Sequence, residues 1–553
     1  MHSNVPLTPT TLLERSAQVF PDRQALIHPE GAISFRALRE RSRRLAHALG
    51  ALQVMSGDRV AVWADTSFQT VEAHFAVPGA GGILMMLNPW LAEVDIIDLL
   101  EFSETKVLIS EERLYRGLSS AGQQRLTSIL QVLVIHQSDS PVPVGTLDYE
   151  ECLALADDSV SLEQAVVSEF DPIAINFTSG TSGRPKGVIY SHRAGYLHAL
   201  GQVLMLGLGP QSKYLWTLPM FHVNGWGHMW ACVAVGCTQV IPSTHFGREQ
   251  AAEFNALLLQ HGITHLAGAP RLLKVLSEIH QPHGVLNGLT MMTGGSAPSP
   301  ALIQQLEALG VNLIHQYGLN ESVGPFVVCE LQMDWDALEP EERAQLRIRQ
   351  GVPAIHAGTG VRVLDACGSP VPHDGRTLGE VTMVGNTLAS GYFKNPEATA
   401  KSFRDGKFYS GDMAVVHLDG YLEIRDRIKD IINVETNYGW ENISSVEVEN
   451  VLSQHPAVQD VAVLGVVNPE GEDKSLIIVA FVERQPSMAI SVAELNIFCG
   501  IRLSVYKRPQ WIFFEQLPKT STGKICKYLL HEMADQRLRV KHTAGLAIQS
   551  GGA

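Results

Sequence analysis

Positive charge is in short supply: 42 lysines and arginines stand against 57 aspartates and glutamates, a formal net charge of −15. That balance lacks the basic face a nucleic-acid binder presents to phosphate backbones, which excludes that class of partner. An anionic small molecule stays open, because one phosphate needs only a few local cations and backbone amides. Cysteine is scarce too, seven in 553 residues without a Cys-x-x-Cys pair. This speaks against a disulfide scaffold and for a reducing compartment. No apolar run approaches the ~18–20 residues that cross a bilayer; the longest candidates, Val461–Val467 and Leu476–Val482, are strand-length. Met1–Leu13 has neither the basic nor the apolar region of a signal peptide. A soluble, cytoplasmic protein with no transmembrane segment is expected.

What is present is globular composition, 45% hydrophobic and 18% charged, in a chain long enough for two to four units. Short β-branched runs such as Arg59–Trp63, Val107–Ser110 and Val132–Ile135 alternate with amphipathic segments such as Ala251–Gln260 and Pro300–Leu309. Alternation of this kind implies parallel, helix-covered sheets. Around 358–384 the pattern changes to short strands with Gly, Pro and Asp turns, a β-rich lobe. After Asp426 come a helix candidate at Ser445–Leu452, strands at Val458–Val467 and Ser475–Glu483, a helix at Val492–Ile501 and a strand at Trp511–Phe514. These make a small α+β domain. Arg537–Ala553 ends in Gly, Ser and Ala and reads as a frayed tail.

One loop carries chemistry. The strand-like run Ile173–Phe177 leads into Thr178, Ser179, Gly180, Thr181, Ser182, Gly183, Arg184, Pro185, Lys186 and Gly187. Glycines let backbone N–H groups approach an anion, the four hydroxyls add donors, and Lys186 adds charge. The spacing differs from Gly-x-x-x-x-Gly-Lys-[Ser/Thr], which disfavours a P-loop NTPase. A bland Gly/Ser surface turn is the rival reading. The hydroxyls, Arg and Lys directly after a buried strand favour phosphate binding.

Phe177–Val188 resembles the AMP-binding signature of the acyl-adenylate-forming superfamily. Five further blocks follow in that family's order: Gly294–Pro298, Gln316–Glu321, Tyr409–Asp412, Arg425–Asp430 and Pro518–Lys524. Within the family, Gly391-Tyr392-Phe393 followed by Asp412–Asp426 looks most like the fatty-acid and short-to-medium-chain acyl-CoA synthetases. The resemblance implies a large α/β N-terminal adenylation domain over 1–427, with the β-rich lobe near 355–427. A mobile α+β C-terminal domain over 428–540 and a tail at 541–553 follow. It also implies ATP and Mg²⁺ as cofactors and a carboxylic acid and coenzyme A as co-substrates. Many relatives self-associate, which keeps a homo-oligomer open.

Residue roles follow from the resemblance, block by block. Thr178–Gly183 and Lys186 hold the β- and γ-phosphates. Glu321 is the Mg²⁺-associated carboxylate, with Thr181 a hydroxyl ligand; a hard-oxygen site suits that ion. Gly295, Ser296, Ala297, Pro298 and Tyr317 frame the adenine, and Gln316 and Gly318 belong to the same nucleotide-binding block. Asn320 stands where the family usually has Thr or Ser facing the α-phosphate, and its amide can still donate. Asp412 accepts from both ribose hydroxyls, Arg427 is its companion, and Lys429 is the hinge. Lys524 bridges the carboxylate and ATP phosphate oxygens during adenylation; Lys519 and Lys527 are its neighbours. The Met220–Trp230 segment resembles the acyl-binding helix, with His222 beside the carboxylate and Phe221, Asn224, Gly225 and Trp226 lining the tunnel. Each of these has an ordinary alternative: a turn Asp, a surface Arg, a core Tyr or Trp.

The pattern breaks a second time after Lys429-Asp430-Ile431-Ile432. Between Ile432 and Glu441 the chain carries Asn433–Trp440, about four residues more than the family's loop, with one glycine of the family's pair missing and the bulky Tyr438 and Trp440 present. That loop borders the pantetheine tunnel in relatives. Three readings therefore stand: a carboxylate–CoA ligase, a stand-alone adenylating enzyme serving a carrier-protein phosphopantetheine or an amine, and an inactive binding relative. His261 and His265 lack the acid of a zinc site and read as ordinary histidines.

Overall fold

The structure is a computed structural model that describes residues 5–136, 141–178, 185–223, 225–243, 246, 250–278, 286–295, 297–436, 439–467, 476–486, 488–519 and 525–543. It divides into two units, 1–178 with 186–361 and 382–409, and 179–185 with 362–381 and 410–553.

Apolar runs with no polar alternation belong in strands covered on both faces, and that is where they lie. In the first unit an eight-stranded sheet runs in the order Gly391–Tyr392, Gly187–Ser191, Pro172–Phe177, Ile83–Met86, Arg59–Trp63, Thr105–Glu111, Gln131–Ile135, Leu147–Asp148. Pairing is parallel from Pro172–Phe177 outward to Leu147–Asp148. The two strands on the other side pair antiparallel. A nine-stranded sheet is parallel through its centre, from Asn312–Leu319 to Gln24–His28, with antiparallel strands at both edges. The helix Phe68–Gly79 is buried from Gln69 onward and belongs to the same core as Tyr190, Trp226 and Trp230. An all-round apolar helix needs such a place.

Burial on this scale traps histidines in the neutral state. His74, His192, His228 and His315 each engage one ring nitrogen, with Thr70 O, Thr8 Oγ1, the Tyr214 hydroxyl and Arg349 O respectively. Burial pushes each of their pKa values down from 6.5 to about 4. Unfolded chains take up those protons below pH 6.5 and the folded unit does not, so stability is full above 6.5 and lost as pH falls toward 4. At pH 5 each such histidine costs about 2 kcal/mol, and the four together about 8, against the roughly 5–15 that holds a domain. The thermal midpoint of this unit should therefore drop steeply between pH 6.5 and 5. A midpoint flat across that window would contradict the burial.

In the second unit, strands Val458–Val467 and Leu476–Arg484 pair antiparallel, and Trp511–Phe514 joins parallel to the latter. Val461 and Val463 enter one apolar cluster while Ala462 and Leu464 enter another, the period-two alternation of a sheet covered on both faces. One face meets helices Ser445–Ser453 and Val492–Arg502. The other meets Lys527–Thr543 through Leu530, Ala534 and Leu538. That spacing of four carries the helix to Thr543, past the point where composition suggested fraying.

Two further expectations are corrected. The lengthened segment is a β-hairpin, not a loop: Ile432–Thr436 pairs antiparallel with Gly439–Ile443, closing at Thr436 opposite Gly439. Ile432, Val434 and Ile443 root it in the core of the unit; Asn437 and Tyr438 lie outside the described residues. The Met220–Trp230 segment is not one helix. It runs through turns to Gly227, whose φ of +87° cannot sit within a right-handed helix, and the helix His228–Ala234 begins there.

Candidate active site

Register brings the first group of side chains together. Strand Gly187–Ser191 pairs with Pro172–Phe177, and Thr178 closes the turn between them: its N–H donates to Lys186 O at 2.9 Å. The Lys186 N–H donates back to Thr178 Oγ1 at 3.3 Å. On the free side of the same strand, Tyr392 lies opposite Val188. That places the exposed Lys186 ammonium 4.8 Å above the Tyr392 ring. Ser179–Gly183, Thr181 among them, lie outside the described residues.

Glu321 arrives from another direction. Strands Asn312–Leu319 and Gly324–Val328 form a hairpin whose tip is the 3₁₀ turn Asn320–Ser322. Ser322 pins the tip: its hydroxyl accepts from Leu319 N–H at 2.8 Å and donates to Gly324 O at 2.7 Å. Val323 follows at φ +63°, a conformation costly for a β-branched residue and frequent at functional sites. Glu321 O accepts from Ala389 N–H, and Glu321 Oε1 accepts from the Tyr392 hydroxyl at 2.6 Å. Burial and the Glu321 carboxylate hold the Tyr392 phenol well above its usual pKa, so it stays a donor. Lys186, Tyr392 and Glu321 thus form one cation–ring–carboxylate stack. In the sequence Tyr392 marks only the class; its block is the signal, and its role emerges only from the strand pairing.

The adenine block is partly described. Gly295 and Ala297 are exposed, Pro298 and Gln316 are buried, and Tyr317, Gly318 and Asn320 are half-buried on or beside the Glu321 hairpin; Ser296 is outside the described residues. In the acyl segment, Phe221 and His222 are half-buried, and Phe221 meets Trp90 edge-on at 5.5 Å. Trp226 is fully buried, 4.6 Å from both Tyr190 and Trp230, so it packs as core between strand and helix. Gly225 is buried, and Asn224 is outside the described residues.

Another pair of candidate residues lies within the second unit. Asp412 on strand Lys407–Val416 lies opposite Arg427 on strand Leu422–Arg427, and Arg427 Nε is 3.3 Å from Asp412 Oδ1. Asp412 N–H donates to Ser410 Oγ, whose hydroxyl donates to Val381 O. Gly411 N–H donates to Glu380 Oε1. Asp426 accepts from the N–H groups of Arg427 and Ser445, tying the strand end to the next helix. Lys429 sits in the turn closed by Asp430 N–H to Arg427 O. Lys524 is outside the described residues. Its neighbours are committed elsewhere: Lys519 to Asp460 and Glu483, Lys527 to Glu449 and the Ser445 hydroxyl.

A magnesium ion fits the donor set of the first unit. Tyr392 occupies one oxygen of Glu321 and leaves the other for a hard cation. Among the described residues no cluster of three or more His, Cys, Asp or Glu could cage a metal. An ion held by one carboxylate must take its remaining oxygens from phosphates and water, the habit of Mg²⁺ at nucleotide sites. Replacing Tyr392 with Phe removes a hydrogen bond to a charged acceptor, worth about 1.5–3 kcal/mol. The Mg²⁺ concentration supporting half-maximal adenylation should then rise roughly tenfold or more. An unchanged Mg²⁺ dependence would show that the tyrosine does not aim the carboxylate.

Comparison with known proteins finds relatives over nearly the whole chain. Residues 13–393 match the family described as AMP-binding enzyme, and 447–524 match the AMP-binding enzyme C-terminal domain. The chain is 36% identical over 552 residues to the trans-cinnamate:CoA ligase of Petunia hybrida, a peroxisomal protein, covering 96% of this chain and 94% of that one. It is 35% identical to a 4-hydroxybutyrate–CoA ligase of Metallosphaera sedula, with the same coverage of both chains. An o-succinylbenzoate coenzyme A synthetase of Bacillus subtilis, solved with ATP and a magnesium ion, superposes with a TM-score of 0.77 at 25% identity, covering 93% of this chain and 98% of that one. The chain belongs to the AMP-binding enzyme family.

Proposed function

We propose that this enzyme joins a carboxylic acid to coenzyme A through an acyl-adenylate. The observation that carries the reading is the Lys186–Tyr392–Glu321 stack at the mouth of the phosphate loop. A carboxylate is a poor electrophile, and its attack on the ATP α-phosphorus, with pyrophosphate leaving, brings several negative charges together. Fixed cations and donors in place before the reaction lower that barrier most. Lys186 and the loop amides take the β- and γ-phosphates, and Tyr392 fixes the Glu321 carboxylate. When bound there, Mg²⁺ offsets the phosphate charge. Asp412 and Arg427 take the ribose, His222 sits by the acid, and Lys524 bridges acid and phosphate. In the second step a thiolate attacks the acyl carbonyl and AMP leaves.

Support for coenzyme A as acceptor comes from the CoA ligases to which the chain is similar. The hairpin 432–443, which departs from the family's pattern, is a place where a different acceptor could be written into the sequence. Replacing its tip, 435–440, with a two-residue Gly turn keeps the core residues Ile432, Val434 and Ile443. We expect pyrophosphate exchange to persist in that variant while the rate of acceptor use changes. Loss of exchange in a folded variant would move the hairpin into the adenylation step. Seven free thiols support a reducing compartment, and we place the enzyme in the cytoplasm on that basis. Fractionating cells that express the full-length chain tests that placement. Carboxylate-dependent exchange of pyrophosphate into ATP tests the adenylation itself; no exchange with any acid would remove the proposal.

A further inference from the structure

Arginines are unevenly matched along one helix. Phe35–Ala51 carries five, at 36, 39, 41, 43 and 44. Arg36 pairs with Asp22, Arg41 with Glu72 and Glu150, and Arg43 with both oxygens of Glu14. Arg44 is exposed, and water serves it. Arg39 differs from all of these. It is half-buried, yet among the described residues it forms no ion pair, and its Nε lies buried without a hydrogen-bond partner. A guanidinium partly withdrawn from water with no charge opposite it is costly. With 57 acidic residues against 42 basic ones, a carboxylate is the easiest partner for this chain to supply, and it supplies none here.

Arg39 lines a cavity of about 740 Å³ within the first unit, and Arg15 and Arg36 line it too. Arg36 and Arg39, three residues apart, share one face of their helix. Arg15 comes from the helix Thr10–Val19, which the Glu14–Arg43 bridge fastens alongside. One Arg15 N–H donates to Ala234 O at 3.3 Å, and the residue forms no ion pair among the described residues. Two acids also line the cavity: Glu14, whose charge Arg43 answers, and the exposed Glu163. The Arg36–Asp22 pair is exposed at both ends, and such pairs hold weakly. The balance is cationic, in a protein whose net charge is −15. Buried Leu12 and Ala17 and the half-buried Tyr196 give the cavity an apolar side. Its volume is that of a small-molecule site. None of these residues belongs to the site described above.

We propose that this cavity is a second anion site, separate from the nucleotide site, and that it binds a phosphate group as the free ion or as the head of a monoester. Arg39 and Arg15 hold the phosphate, and Arg36 joins them by giving up a weak surface pair. The terminal N–H groups of Arg39 make the contact, because its Nε is shut away from the cavity. Guanidinium groups present paired donors that match phosphate oxygens. A dianion with three terminal oxygens engages two arginines, where one arginine already fills a carboxylate. The apolar side, Leu12, Ala17 and the Tyr196 ring, suits the organic part of an ester.

Calorimetric titration of phenyl phosphate into the full-length native protein and into Arg39→Gln tests the site, because binding at the nucleotide site is common to both and cancels in the difference. The native protein should show a binding event that Arg39→Gln weakens roughly 10–100-fold. The KM for ATP in pyrophosphate exchange should stay the same. Arg15→Gln, a change at an exposed position, should weaken the same event, and it carries the test if Arg39→Gln does not fold. Inorganic phosphate separates the two sources. Displacement of phenyl phosphate at equal concentration assigns the site to the free ion, and displacement only at about tenfold excess or more assigns it to an ester. Superimposable isotherms for the native protein and both variants would overturn the proposal. So would a raised KM for ATP in Arg39→Gln, or benzoate binding that Arg39→Gln weakens as much as it weakens phenyl phosphate.

Discussion

Substituting Lys524 with alanine should lower the rate of acyl-adenylate formation by about 10²–10³-fold, the loss typical of one preorganised charge aimed at a transition state. Thioester formation from supplied acyl-adenylate should change far less. The asymmetry follows from the role: an ammonium joining the attacking carboxylate to a phosphate oxygen acts only while that bond forms. The surrounding charges narrow the choice. Lys519 is held by Asp460 and Glu483, and Lys527 by Glu449, which burial tends to protonate and which the Lys527 ammonium opposes. Neither can leave for a substrate without stranding a carboxylate. The check is stopped-flow or exchange kinetics on both half-reactions, and equal loss in both would remove Lys524 from this role.

Substituting Asp412 with alanine should raise the KM for ATP by roughly 10²–10⁴-fold, from two hydrogen bonds to a carboxylate at about 1.5–3 kcal/mol each. The acid's KM should move little. Asp412 is suited to ribose because its carboxylate is already placed: Arg427 holds one oxygen, and its own N–H is tied to Ser410. Arg427→Ala should produce a smaller change of the same kind, because it removes a partly exposed partner and not the ribose acceptor. Steady-state kinetics with ATP varied at fixed acid decides it; an unaltered ATP dependence in Asp412→Ala contradicts the assignment.

What the sequence revealed about the site is what short segments determine by themselves. A strand followed by glycines, hydroxyls and a lysine can be read locally, and so can an Asp after Ser-Gly or a Glu after Tyr-Gly-Leu-Asn. Tyr392 could not be assigned this way. Its bond to Glu321 spans 71 residues and exists because Gly391–Tyr392 adds to the edge beside Val188. Trp226 shows the opposite failure: its aromatic, methionine-rich surroundings suit a pocket wall and a core equally, and it is buried against Tyr190 and Trp230. The parallel sheets were legible because doubly covered strands are continuous apolar runs. The hairpin at 432–443 was hidden because Ile432 and Val434 give only one period of alternation, and its partner Ile443 lies beyond the turn. The helix to Thr543 was hidden behind polar residues between Leu530, Ala534 and Leu538.

Release of AMP, measured with and without coenzyme A over a panel of aliphatic and aryl acids at saturating ATP and Mg²⁺, tests the central claim most directly. The account predicts that, for at least one acid, coenzyme A turns slow, adenylate-limited AMP formation into steady turnover, with one thioester made per AMP. AMP release that coenzyme A does not accelerate, for every acid that supports pyrophosphate exchange, would contradict it.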